Sequence, residues 1–367
     1  MRRSSLHDFF AANGAAFEVR AGVECATTLA DPSVEYSLVR DAVAISDASH
    51  HQIFAVPEAG AIDALDKLVA GNVARIRFGR ALHTFMADDA GAIMADCYIA
   101  NNDDEFLVLC ESLEDDAAIR ARFLAAGKEV GLQDLTESHA VLSVDGYKAW
   151  AVAKELFGAD VLGLPYLSVE RYPFDGVTVR LIRAGKTSEF GYLLVVPAAQ
   201  AQALATRALA SAKKHGGGLC GTAIHNDLRL EGRFFNIYAE GAAVRDPLAL
   251  GLQWMMDFEK EGYPGQAALL QRRAAGFERK IVGFKTPAGT AVRKCAALYD
   301  EGRTVGEVVA VAESRVLGCT LGLAVLPIAL AYAGLEFALD APNGQMVTTL
   351  SMPPIMPKSL TVKIDEM

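Results

Sequence analysis

The chain lacks the features that announce the commonest sites. Its six cysteines, at positions 25, 97, 110, 220, 295 and 319, form no C-x-x-C pair, and its seven histidines make no H-E-x-x-H. His50 and His51 are adjacent and could not both reach one metal from a regular strand, so no structural zinc is expected. The scattered cysteines, mostly in apolar surroundings, read as reduced core residues of a cytoplasmic protein. A basic surplus is missing too. Thirty-five Lys and Arg stand against 45 Asp and Glu, a net charge of -10 that argues against nucleic acid as the main partner. A small molecule or a protein partner fits better. After Met1-Arg2-Arg3, the polar His7, Asp8 and Asn13 break the apolar run that a signal peptide requires. One uncharged stretch, 316–335, is long enough to span a bilayer. It contains Gly318, Gly322, Pro327 and Gly334 and has no cluster of Lys or Arg on either flank, so a buried strand, turn and short helix are expected, with no membrane partner.

What is present is abundant core. Hydrophobic residues make up 52% of 367, more than one core usually serves, so two or three units sharing an interface are expected. Helical spacing covers 61–70, and a strand over 106–109 pairs back across the turn cluster Asn101-Asn102-Asp103-Asp104. An Ala-rich helix is expected over 113–130. From Val141 the order repeats: a short strand, a helix over 149–157, a strand over 177–182, a loop over 185–191, a strand over 192–196, and a helix over 199–214 stopped by Gly216-Gly217-Gly218. Two α+β halves of similar order are therefore visible. Between 271 and 294 seven Lys and Arg face the single acid Glu278, which reads as a seam between units or a solvated face. Hairpin signals at Asp300-Glu301-Gly302-Arg303 and Asn343-Gly344 then point to a small β-barrel or sandwich.

Three runs could carry chemistry. In Gly91-Ala-Ile-Met-Ala-Asp96-Cys-Tyr98-Ile99 one carboxylate interrupts an apolar strand pattern. Burying it unpaired would cost several kcal/mol, so it needs a charge, donors or a ligand, unless it sits at a solvated edge. Period-two alternation puts Met94, Asp96 and Tyr98 on one face. Gly185-Lys186-Thr187 resembles the end of a phosphate loop, but the first glycine of that motif would fall at Arg180 and a strand follows, so a nucleotide triphosphate site is excluded. Glu189 in the same loop can accept two parallel hydrogen bonds from an amidine-like edge such as that of a pterin, or serve as a solvent-facing turn residue. The third run, His225 to Arg233, has helical spacing with Asp227 and Glu231 on one face and Arg229 displaced; it reads equally as an ion-pair network between domains.

All three runs occur in the order found in the glycine-cleavage T-protein family of folate-dependent aminomethyltransferases, which the chain resembles nearly end to end. Glu35 to Arg40 and Asp47-Ala48-Ser49-His50 are similar to the family's opening "E-H-x-x-V-R … D-L-S-H". Gly91 to Asp96 is similar to "G-G-I-I-D-D", Arg183 to Gly191 to "R-T-G-Y-T-G-E-D-G", and Asn226 to Gly232 to "D-x-L-R-L-E-x-G". Asp246-Pro247 to Trp254, Tyr263-Pro264-Gly265 and the β-rich end also fit. The resemblance implies an α+β three-lobed cloverleaf: a folate-binding region of two α+β lobes over 1–275 and a C-terminal β-barrel over 276–367, with tetrahydrofolate in a central channel. It further implies that Asp96 lies near the pterin's reactive nitrogens, Glu189 grips the pterin ring and Arg229 lies beside the channel, with Tyr98, Met86 and Glu111 as wall candidates.

The departures are Ala95 for the first Asp of "D-D", Lys186 and Ser188 for the loop's tyrosine and glycine, Glu111 for an asparagine, and 311–315 for "T-S-G-x-x-S-P". They point to a relative that keeps folate but takes its one-carbon unit elsewhere. The first expectation is therefore a demethylase-type transferase moving methyl from a small O-, S- or N-methylated substrate to N5 of tetrahydrofolate. Asp96 would stabilise developing positive charge, and His50, His51 or Tyr36 would relieve the leaving group. The alternatives are a true aminomethyltransferase served by a lipoyl carrier protein and a folate-binding assembly or repair factor without catalysis.

Overall fold

In the computed structural model, which describes residues 1–113 and 116–363, three large sheet systems carry the chain, beside a two-stranded hairpin of Ala16–Arg20 with Val23–Thr28. The first is a six-stranded sheet in the order Ser168–Phe174, Val177–Arg183, Gly191–Pro197, His139–Asp145, Ala44–Asp47, Gly218–Leu219. All neighbours are antiparallel except the last pair. The second has five strands in the order Ala81–Ala87, Ile93–Asn101, Glu105–Ser112, Gln52–Pro57, Gln133–Asp134. The third is a closed barrel of six strands beginning at Arg279–Pro287. The fold is thus α+β with a C-terminal β-barrel, as expected.

The two open sheets face one another. Ile53, Tyr98, Leu107 and Leu109 from the five-stranded sheet pack against Val141, Ile182, Leu193 and Val195 from the six-stranded one. Each such buried side chain contributes roughly 1.5–3 kcal/mol. The outer faces are covered by helices, Ala149–Phe157 and Ala198–Lys214 over the first sheet, Glu58–Leu65 and Asp116–Gly127 over the second. Because side chains alternate along a strand, the residues in step with Tyr98, Leu109 and Val141 also point between the sheets. Those residues are Asp96, Glu111, Ser143 and Asp145, and there the apolar interface gives way to a polar cavity.

Several sequence expectations change in detail. The two α+β halves are interleaved, since Ala44–Asp47 pairs with the strand of 139–145 and not with its sequence neighbours. The helix expected over 61–70 runs Glu58–Leu65 with a break at Ala59 and Gly60, and the described helix within 113–130 is Asp116–Gly127. The uncharged stretch 316–335 forms the barrel strand Cys319–Pro327 and the turn of helix Ile328–Leu330. Among the described residues no helix is long and apolar enough to cross a membrane. Four cysteines are buried as expected, but Cys295 is exposed and Cys319 half-buried.

Helix Thr222–Gly232 is brought to the sheet junction by a tight approach. Gly221 lies against the strand Val23–Thr28, and its N–H donates to the buried Glu35 Oε2 at 3.1 Å. A Cβ there would lie 1.9 Å from the Thr27 carbonyl oxygen, backbone that cannot swing aside. Gly221→Ala is expected to cost about 1–3 kcal/mol in urea denaturation; stability within 0.3 kcal/mol of wild type would show that the helix entry tolerates a shift.

Candidate active site

Asp96 is not at a solvated edge. Its strand is flanked on both sides, and the residue is 2% exposed. The residue directly opposite on the next strand is Glu111, which is fully buried. Two carboxylates facing one another across a ladder repel. The remedy comes from the other sheet system: Lys186, in the loop after Val177–Arg183, donates from Nζ to Asp96 Oδ2 at 2.5 Å and also to Glu111 Oε2. The second Asp96 oxygen lies 2.6 Å from His83 Nε2, whose ring stacks on Tyr98 at 4.4 Å. Glu111 Oε1 accepts from Arg229 Nη2 at 3.0 Å and lies 3.1 Å from His50 Nε2. The compensation that the sequence left to a ligand is therefore built into the protein.

Electrostatics follow from these contacts. Burial alone would push the Asp96 carboxyl up, but His83 and Lys186 hold it below the usual carboxylate value. Burial is likewise outweighed at Glu111 by Arg229, Lys186 and His50, which hold it well below the ordinary range. The imidazoles respond oppositely. Burial lowers His50 despite Glu111, and burial with the neighbouring His50 takes His51 down to about 3.

The cavity beside this network is narrow, with a volume of about 50 Å³, and Tyr98, His50, His51, Lys186 and Arg229 all line it. Sequence reasoning missed Asp145 on its wall. Asp145 is 2% exposed; Oδ2 accepts from Ser143 Oγ, while Oδ1 has no hydrogen-bond partner among the described residues. Burial, only partly opposed by Ser143, pushes its carboxyl up to about 7. Helix Thr222–Gly232 adds Thr222, His225 and Asn226 to the same wall. His225 Nε2 sits 3.1 Å from Ser46 Oγ, and burial with Arg229 lowers it to about 3. The signal for Asp145 was present in the sequence as a lone acid closing the apolar run Val141 to Val144, the same misfit that singled out Asp96.

Other sequence candidates lie elsewhere. Tyr36 donates from its hydroxyl to Glu231 Oε1 at 2.7 Å and packs with Val39 and Leu228, away from the cavity, so the structure gives it a joining place. Met86 alternates to the outer face and packs with Phe54 and Phe123 in a lobe core, because odd and even residues of its strand face opposite layers. Glu189 does not line the cavity. Its Oε1 accepts from Arg40 Nη1 at 3.2 Å and the Lys358 N–H at 3.4 Å, and its Oε2 from the Ser359 N–H at 2.9 Å. Arg40 also bonds Glu231 Oε2 at 2.7 Å, and Ser314 of the barrel donates to Glu231 Oε1 at 2.6 Å, so this second buried network ties three parts of the chain together. The regular strand assumed for His50 and His51 is instead a turn, and ligand atoms of His50, His51 and Glu111 lie within 4.8 Å of one another. Lys186 and Arg229, already on Glu111, oppose a further cation there.

Comparison with known proteins matches this geometry to one family. Residues 6–260 match the sequence model of the GCVT N-terminal domain, and 279–356 that of the glycine cleavage T-protein C-terminal barrel domain. An aminomethyltransferase of Geobacillus thermodenitrificans (strain NG80-2) is 27% identical over 357 residues, covering 95% of this chain and 97% of that one. One from Saccharopolyspora erythraea is 28% identical over 342 residues, covering 92% and 91%. The crystal structure of the glycine cleavage system aminomethyltransferase T from Bartonella henselae superimposes with a TM-score of 0.83 at 21% identity, over 97% of this chain and 98% of that one, and so shares the fold.

Two stability measurements test the site's electrostatics. Lys186→Met leaves Asp96 and Glu111 opposed, and is expected to lose about 3–5 kcal/mol at pH 7 in urea denaturation. The native carboxyls are depressed, so their stabilisation is full above the unfolded values and is lost as pH falls; the deficit of the variant therefore shrinks toward pH 4. A deficit independent of pH would mean that packing, and not charge, accounts for it. Asp145 behaves oppositely. Its raised carboxyl costs stability once ionised, so Asp145→Asn is expected to melt higher than wild type at pH 8 and level with it at pH 4; a lower melting point at pH 8 would contradict the unpaired carboxylate.

Proposed function

Because the chain belongs to the glycine cleavage T-protein family, we propose that it is a tetrahydrofolate-dependent transferase whose one-carbon unit is an aminomethyl group delivered by a lipoyl carrier protein. The observation that carries folate binding is the cavity's own chemistry. His50 Nδ1, Asp145 Oδ1, Thr222 Oγ1 and two nitrogens of Arg229 are buried on its lining residues without hydrogen-bond partners among the described residues. Buried polar groups left unpaired are rare and costly. A flat, polar heterocycle with donors on one edge and acceptors beside them fits such a wall, and Tyr98 and Leu193 offer it apolar faces.

When bound, tetrahydrofolate supplies the nitrogen that accepts the carbon. Asp96, fixed by His83 and Lys186, keeps a full negative charge one side chain behind the wall and opposes positive charge that develops at the transferring group. Being held from both sides, it pays no reorganisation as the charge appears. His50, neutral through burial and with Nδ1 unpartnered, stands on the wall as an acceptor for a released proton, whereas His51, held down at about 3, is too weak a base for that part. The aminomethyl donor is preferred to the methyl donor expected from the sequence because the aminomethyltransferase relatives match over nine-tenths of both chains.

One observation favours the second reading, demethylation of a small methylated substrate. Lys186 brings an ammonium to the cavity where the family motif has a tyrosine, and an ammonium can protonate a leaving oxygen or sulfur. The two donors separate in one assay. Purified protein with tetrahydrofolate and an aminomethylated lipoyl carrier is expected to give methylene-folate and ammonia by mass spectrometry. Methyl-folate appearing instead with methoxy-aromatic, sulfonium or methylamine compounds would install the second reading, and no folate product with any donor would leave a non-catalytic folate-binding factor. Asp96→Ala is expected to stay folded by circular dichroism and lose at least about 100-fold in turnover; a rate near wild type would remove Asp96 from the chemistry.

A further inference from the structure

The resemblance to the family gives the pterin's amidine edge to Glu189, yet in this fold that carboxylate is spent. Arg40 and the backbone N–H groups of Lys358 and Ser359 occupy both its oxygens. The pocket it lines is a separate one, shared with Phe190, Phe234, Ser359 and Leu360. A different acid meets the requirement. Asp145 closes its strand on the inner face of the six-stranded sheet, and the residue opposite it across the ladder is Gly191. The loop that carries Lys186 and Glu189 is bounded by Gly185 and Gly191, and both glycines leave room for Asp145. A Cβ on Gly185 would lie 2.7 Å from Asp145 Oδ1, and one on Gly191 would lie 2.9 Å from it. Oδ1 is thus packed against the two glycines, buried and without a partner among the described residues, on a side chain that lines the cavity.

We infer that Asp145, and not Glu189, is the carboxylate that accepts the donor edge of the ring bound in the central cavity; resting on the folate reading, that edge is the N3–H and 2-amino pair of the reduced pterin. The neighbouring groups complete the match. A pterin carries its 4-oxo acceptor next to those donors, and Arg229, whose charge reaches Asp145, offers N–H groups that Glu111 does not take. A carboxyl that burial pushes up to about 7 becomes a charge-assisted acceptor once two N–H donors arrive. Leu193, two residues beyond Gly191 on the same strand, gives the ring an apolar floor beside that acceptor.

The test is titration calorimetry of tetrahydrofolate into wild type, Asp145→Asn, Asp145→Ser and Glu189→Gln, with folding checked by circular dichroism. Both Asp145 variants are expected to bind at least about 10-fold more weakly, since a charge-assisted pair is lost, while Glu189→Gln stays within about threefold. Asp145→Asn is also expected to melt above wild type at pH 8 without ligand, which a residue needed only for folding would not do. Wild-type affinity in the Asp145 variants, or a tenfold loss in Glu189→Gln, would overturn the assignment and leave the folate reading standing. No binding by wild type would overturn both. Should neither Asp145 variant fold, Glu189→Gln alone decides: unchanged affinity supports the assignment and a tenfold loss overturns it.

Discussion

The architecture of the site depends on one ammonium, that of Lys186, lodged between two carboxylates that the β-ladder sets face to face. Asp96 and Glu111 are register partners on adjacent strands, both in the layer between the sheets, and water does not reach either. Without a cation this arrangement would be among the most costly in the fold. Lys186 comes from the opposing sheet system, so the ion pairs also fix how the two sheets meet. Arg229 and His83 take the remaining oxygens, and the cluster is satisfied at every carboxylate atom. A fully paired network of this kind specifies one arrangement of its parts.

Beyond it, polar satisfaction stops abruptly. The same helix that delivers Arg229 to Glu111 leaves two of its guanidinium nitrogens unpartnered, and Asp145 and Thr222 nearby are in the same condition. A saturated cluster around Asp96 thus stands beside a wall of unpaired polar atoms, and the proposed division of labour follows from that contrast: one part holds charge in place, the other offers hydrogen bonds to a ligand. On its far side the helix puts Glu231 into a second saturated network with Tyr36, Arg40 and Ser314, joining the lobes to the barrel. Two residues, about half a helical turn, thus separate the joining residue Glu231 from the cavity residue Arg229.

Much of this was legible in the sequence. Period-two alternation placed Asp96 and Tyr98 on one face, hairpin signals located the barrel strands, and the Gly-rich stop after 214 ended its helix where expected. What was not legible depends on which strands become neighbours. Nothing local says that 44–47 joins the sheet of 139–145, or that Glu111 lands opposite Asp96, since register across a sheet is a tertiary property. For the same reason Glu189 and Tyr36 read as cavity residues although their partners, Ser359 and Glu231, approach from distant parts of the chain. Asp145 is a misfit of the same type as Asp96, and only its unpartnered buried oxygen in three dimensions sets it apart.

The most direct test of the bridging role is a double-mutant cycle in urea denaturation at pH 7 with Lys186→Met, Glu111→Gln and the pair combined. If the ammonium exists to hold the opposed carboxylates, removing the Glu111 charge relieves much of the loss caused by removing Lys186, and the coupling is about 2 kcal/mol or more. Effects that add to within about 0.5 kcal/mol would show that the two side chains act independently, and would contradict the account.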